Sequence, residues 1–230
     1  MKIILRFTPI LPVIVLIGCS NPADKVPEAK VTSATNTPAA EAKPAETPAP
    51  APMPRSFVIN PDNSTINFIG SKVTGSHNGG FKKFVGELRV ENGKLADAGN
   101  KIVIETGSLY ADNPRLTGHL KSKDFFNVAE IPTATFETTA VAPGATNFAV
   151  TGNLTLHGIT KQISFPATIT VSEAIVEVTA DFFINRFDFE IKYPGKANDL
   201  IRKEVVLKLK VKATPGTADF QSIGKQAAAF

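Results

Sequence analysis

The sequence is poor in the residues from which catalytic and metal centres are built. Its 230 residues hold one cysteine, three histidines and no tryptophan. One thiol cannot make a disulfide framework or a thiolate metal cluster. His77, His119 and His157 share no i, i+2 or i, i+4 spacing, so no local motif gathers them on a metal. No serine stands in Gly-x-Ser-x-Gly, and no phosphate loop or dinucleotide-binding glycine pattern occurs. Acidic residues are scattered, with no pair placed by local spacing. These absences point away from an enzyme, a metal or a cofactor. Lys and Arg exceed Asp and Glu only by 25 to 21, too little for a nucleic-acid partner. Beyond the first segment no apolar run is long enough to span a bilayer, which excludes a polytopic membrane protein. The chain has 16 Phe but only 2 Tyr, so its interior is greasy with few polar handles.

What is present begins with an address. Lys2 and Arg6 precede a short apolar stretch, Phe7 to Ile17, the size of a secretory core region. It ends in Leu16-Ile17-Gly18-Cys19, which resembles the bacterial lipobox. The resemblance implies a signal peptide over 1–18 and lipid attachment at Cys19, the only cysteine. Residues Ser20 to Pro54 hold 8 Pro and 9 Ala among 35 and no aromatic residue. That composition predicts a disordered tether over 19–54, dispensable for folding. Such a tether spans roughly 35 Å as a flexible coil and about 100 Å when extended. Residues 214–230, with Pro215 and Gly216, are read as a poorly ordered tail with a short turn near Phe220.

The remainder, 55–213, alternates with period two. Ile163, Phe165, Ala167, Ile169 and Val171 are apolar, with polar residues or Pro166 between them. Val178, Ala180, Phe182 and Ile184 repeat the pattern, as do Val205, Leu207, Leu209 and Val211. A slip of one residue would turn Lys208 and Lys210 inward, so the register is strongly specified. Asn60-Pro61-Asp62-Asn63, Asn92-Gly93, Ala98-Gly99-Asn100 and Pro143-Gly144 are turn signals. About eight strands joined mostly by short turns predict an all-β, antiparallel fold, either a closed barrel or a two-sheet sandwich. One short helix is expected from Pro114, capped by Asn113 and weakened by Gly118. The inner face carries Phe68, Phe84, Phe136, Phe148, Phe165 and Phe182, with Ala167, Ile169, Ile184, Leu207 and Leu209. An eight-stranded barrel can either pack such side chains solidly or hold one ligand.

Three stretches resemble the YceI-like family. They are His119-Leu120-Lys121-Ser122-Lys123-Asp124-Phe125-Phe126-Asn127-Val128 followed by Ile131-Pro132, Gly152-Asn153-Leu154-Thr155-Leu156-His157-Gly158, and Ile184-Asn185-Arg186-Phe187-Asp188-Phe189. The sequence departs from the family at Arg115-Leu116-Thr117-Gly118, where Arg-Asp is common, and at Glu190, where Gly is common. The resemblance implies a lipocalin-like barrel whose cavity binds a polyisoprenoid or isoprenoid quinone. It assigns the inner-face residues named above to the cavity wall. Arg115, His119, His157 and Arg186 become a polar mouth for a head group. The competing reading of His119 and His157 is that each imidazole bonds a backbone group at a barrel end. His77 is read as a solvated hairpin residue. Together these readings describe an envelope carrier or storage protein, anchored through acylated Cys19 and facing the periplasm. Ser20 in place of Asp after Cys19 favours the outer membrane. The alternative is a structural or stress-related envelope interaction module with a filled barrel.

Overall fold

The period-two segments form strands because alternate side chains then share one buried face. A computed structural model describes residues 20–34 and 54–223, and every element reported below lies within them. The signal segment, Cys19, 35–53 and 224–230 lie outside the described residues. The strands are β1 Lys30–Ser33, β2 Arg55–Ile59, β3 Thr65–Lys72, β4 Gly75–Phe81, β5 Phe84–Glu91, β6 Lys94–Leu95, β7 Lys101–Glu105 and β8 Leu109–Ala111. After helix α1, Pro114–Lys121, come β9 Thr133–Pro143, β10 Phe148–Leu156, β11 Ile159–Val171, β12 Val176–Asn185, β13 Gly195–Lys196 and β14 Asp199–Pro215.

The sheet closes into an eight-membered antiparallel ring through β2, β5, β7, β9, β10, β11, β12 and β14. β3, β4 and β8 continue three of these staves toward one end, since β14 passes from β2 to β3 and β3 pairs with β4, which pairs with β8. The ring follows chain order, so the alternation resolves as a closed up-and-down barrel, not a sandwich. Asn60–Asn63 is a turn, but it loops out of one continuing stave instead of reversing the chain. Asn92-Gly93 and His157-Gly158 have positive φ at both positions, 51° and 74°, then 51° and 75°, as tight hairpins of right-twisted strands require. α1 starts where expected: the Asn113 side chain accepts from the Arg115 and Leu116 N–H groups at 2.9 and 3.2 Å.

The mouth end carries the β3–β4 turn, α1, the β10–β11 turn and the link from β12 to β14. Near the other end Phe57, Ile59, Phe84, Leu88, Val90, Val176 and Ala213 form a packed floor.

Two expectations are corrected. Residues 20–34 are not a free tether. β1 pairs with β11 from Lys30↔Ser164 to Ser33↔Lys161. The Ala29 N–H donates to Phe183 O at 2.9 Å, and the Phe183 N–H to Pro27 O at 3.0 Å. The segment is thus inlaid between β11 and β12, which pair with each other only from Thr168 onward. Pro166, lacking an N–H, cannot extend that ladder at its own position. A 3-10 turn, Pro22–Lys25, then lies against β14, where outward-facing Val206 is only 2% exposed. The tail is also longer in order than expected. Thr214 and Pro215 pair with β2, Gly216 N–H donates to Ser56 O, and Phe220–Ser222 forms a capped 3-10 turn.

Candidate ligand-binding cavity

A cavity of about 530 Å³ runs from the mouth into the barrel. Its volume is within the range of small-molecule sites, roughly 300–1,000 Å³. Phe68, Phe136, Phe165, Phe182, Ile184, Leu207 and Leu209 line it, as the alternation predicts. The Phe165 and Phe182 rings stack nearly parallel with centroids 4.1 Å apart, and Phe136 tilts against Phe165 at 5.7 Å. On β14 the inward residues Val205, Leu207 and Leu209 are only half-buried although they face the barrel interior. Side chains on an inner wall remain accessible only where nothing packs on them, so this part of the barrel is hollow. Lys208 points outward and pairs with Asp181 at 2.7 Å.

Four residues of the expected wall do not line the cavity: Phe84, Phe148, Ala167 and Ile169. Phe84 is buried among the floor residues. Phe148 and Ala167 pair across β10 and β11 near the closed end, and Ile169 lies beyond them. Parity assigns a face but not which side chains on that face are covered by their neighbours: Leu88, on the strand of Phe84, and Val178, opposite Ile169, do line the cavity. Wall residues that the alternation missed come from the mouth-side connection. Leu116 and Leu120 of α1, with Phe125 and Phe126, cover the opening. The i, i+4 spacing of Leu116 and Leu120 was the available signal.

The expected mouth is only partly assembled. His119 and Arg186 line the cavity, whereas Arg115 and His157 do not. Arg186 is 4% exposed, and its guanidinium donates to the carbonyls of Arg202, Ile191, Tyr193 and Ile201. Burial pulls its pKa down from the ordinary arginine value. With its donors turned to backbone, Arg186 is a clamp for the β12–β14 connection and not a free head-group ligand. Its chain continues into Glu190, which takes φ 59° where the family commonly has Gly, and pairs with Lys192 at 2.6 Å. His157 bonds a backbone carbonyl, that of Phe189, through Nδ1 at 3.1 Å. His119 departs from that reading: its Nε2 meets Asp124 Oδ2 at 2.8 Å, and its ring packs edge-on to Phe125 and Tyr193.

The polar groups at the opening come largely from positions without a sequence motif. Ser71, Lys72, His77, Lys196, Asp199 and Arg202 rim it. His77 is half-buried, and its Nδ1 meets Asp112 Oδ1 at 2.8 Å. The Asn78 N–H, 2.7 Å from Asp112 Oδ2, and then His77 hold that carboxyl below its ordinary value of 3.8. Asp199 is likewise held below 3.8 by Lys72 first and then by the Thr74 hydroxyl and N–H. These pairs fasten β4 to β8 and β3 to β14. Among the described residues no three His, Cys, Asp or Glu side chains come together as a metal site. The arrangement is an apolar tube behind a polar, partly ion-paired rim, suited to holding a molecule that is long, apolar and polar at one end.

The profile of the YceI-like domain matches residues 57–213. A UPF0312 protein from Yersinia pestis is 36% identical over 92 residues, 40% of this chain and 48% of that protein. The chain therefore matches about half the length of such curated relatives. Among solved structures, BcnA from Burkholderia cenocepacia is 25% identical with a TM-score of 0.62, over 68% of this chain and 99% of that one. A polyisoprenoid binding domain from Saccharophagus degradans, implicated in plant cell wall breakdown, shares the fold at 17% identity. Its TM-score is 0.57, over 70% of this chain and 99% of that one.

Proposed function

Since this chain belongs to the YceI-like family, we propose that its barrel binds a long apolar lipid of isoprenoid type, a polyisoprenoid or an isoprenoid quinone. The hollow, Phe-lined cavity carries the reading. Water excludes a prenyl chain because its apolar area is exposed there, and enclosure reverses this. At about 0.8 kcal/mol per CH₂-sized group, each five-carbon unit taken into the tube contributes roughly 4 kcal/mol before ordering costs. The rim of His119, Tyr193 and Lys196 offers hydrogen-bonding groups to a hydroxyl, phosphate or quinone carbonyl. The hollow tube is the observation against a filled-barrel interaction module.

The protein acts as a carrier or store of this lipid in a bacterial cell envelope. Leu16-Ile17-Gly18-Cys19 supports an acyl anchor at Cys19, with the barrel facing the periplasm and the outer membrane favoured. Mass spectrometry of an organic extract, made from protein purified out of its own envelope, tests the ligand. A stoichiometric prenyl-chain lipid is expected. A lipid-free protein that also takes up no added prenyl lipid would overturn the proposal.

A further inference from the structure

The mouth carries apolar side chains that are exposed to solvent. Four large hydrophobic residues are exposed among the described residues, and three of them, Val73, Phe187 and Leu200, stand at the mouth end. Val73 is 55% exposed and Leu200 50%. Val73, on the β3–β4 turn, and Leu200, at the start of β14, are joined by a hydrogen bond from the Val73 N–H to Leu200 O at 3.2 Å. Lys196 and Lys203 are exposed nearby and make no ion pair among the described residues. Asp199, beside Leu200, is already taken up by Lys72 and Thr74. Paired apolar tips flanked by ammonium groups match a bilayer interface, where acyl chains meet the tips and phosphates meet the cations.

The inlaid N-terminal segment leads to the same place. The Asn21 side chain accepts from Ser71 Oγ at 3.3 Å, two residues before Val73. Ser20, the residue after Cys19, therefore leaves the barrel beside this rim. A chain held there cannot swing through the span of a free 35-residue tether.

We propose that the mouth end docks on an anionic lipid bilayer, with Val73 and Leu200 inserted and Lys196 and Lys203 on headgroup phosphates. It rests on the reading of the cavity as a prenyl-lipid site. A docked mouth lets the ligand pass between bilayer and tube without crossing water.

The test uses the chain from Ser20 onward, which holds every described element and no acyl group. Single cysteines replace Val73 or Leu200 at the mouth, and Asn92 or Glu173 at the far end, each bearing an environment-sensitive fluorophore. With vesicles of equal parts phosphatidylglycerol and phosphatidylethanolamine, the mouth labels blue-shift and escape an aqueous quencher while the far-end labels do not. Equal responses at both ends, no response at the mouth, or self-association through the mouth in place of vesicle binding would overturn the proposal. In the unlabelled chain, Val73→Asp with Leu200→Asp weakens vesicle binding by about tenfold or more. The same variant still loads a detergent-dispersed long-chain prenyl alcohol as wild type does. Loss of loading together with docking in a folded variant would show that the tips belong to the cavity, and the docking idea falls. Loading without docking in wild type refutes docking alone; docking without loading supports it and refutes the ligand reading.

Discussion

Arg186 shows how a motif residue can be rightly singled out and wrongly explained. Its place after inward Ile184, in a stretch resembling the family motif, made it a candidate for the polar mouth. In the structure the planar fork is turned on its own chain, gathering carbonyls from Ile191, Tyr193, Ile201 and Arg202. Those of Ile191 and Tyr193 belong to the connection from β12 to β14, and those of Ile201 and Arg202 to β14 at its register shift against β3, where the ladder is interrupted. Arg186→Ala leaves several buried acceptors unpaired and is expected to cost about 3 to 5 kcal/mol, read from chemical denaturation. Arg186→Lys recovers little of it, because an ammonium is a point charge that cannot address so many carbonyls at once. A head-group role predicts the opposite: stability retained and lipid lost.

The inlaid N-terminal segment is the element whose role the composition concealed. It completes the wall where β11 and β12 part, and it places Ala23 and Ala29 in buried positions. Removing Ser20–Ser33 leaves the β11 edge at Lys161–Ser164 unpaired and uncovers Val206. A chain starting at Arg55 is expected to lose about 3 kcal/mol and melt roughly 5 to 10 °C lower than one starting at Ser20. Equal melting temperatures would restore the tether reading. Two carboxylates join other elements near the mouth, Asp112 between β4 and β8 and Asp199 between β3 and β14. Both have folded pKa values below 3.8. Their contribution is therefore full above that value and is lost as pH falls through the lowered folded values. The difference in melting temperature between wild type and Asp112→Asn with Asp199→Asn should be constant at neutral pH and close below pH 3.8. Both groups are near solvent, so salt should shrink it.

At the scale of the whole molecule the question is whether the barrel's interior serves the fold or a ligand. Ala167 cannot answer it, because it is buried away from the cavity, opposite Phe148. Val205 can: it lines the cavity and is only half-buried. Val205→Phe grows into empty space, so its melting temperature should stay within about 4 °C of wild type. Its extractable lipid should fall to less than half. In a solid core the same change would cost about 1 to 3 kcal/mol by overpacking and leave no lipid to lose. Melting temperature and lipid content measured on one preparation separate these outcomes.

Alternation along β11, β12 and β14 determined the inward face, since any slip would bury Lys208 and Lys210. Asn113-Pro114 determined the helix start through local hydrogen bonding, and Asn92-Gly93 a hairpin through backbone sterics. These are short-range effects, and short-range effects can be read from neighbouring residues. Whether Phe84, Phe148, Ala167 and Ile169 reach the cavity depended on which neighbours pack over them inside the closed barrel, which parity does not encode. The fate of Ser20–Ser33 depended on a gap between β11 and β12 far away in the chain. The outward apolar pair Phe183 and Val206 was the one trace of that cover in the pattern. The mouth, too, was decided only in three dimensions: Lys72 meets Asp199 there and His77 meets Asp112, because barrel closure brings those distant strand ends together.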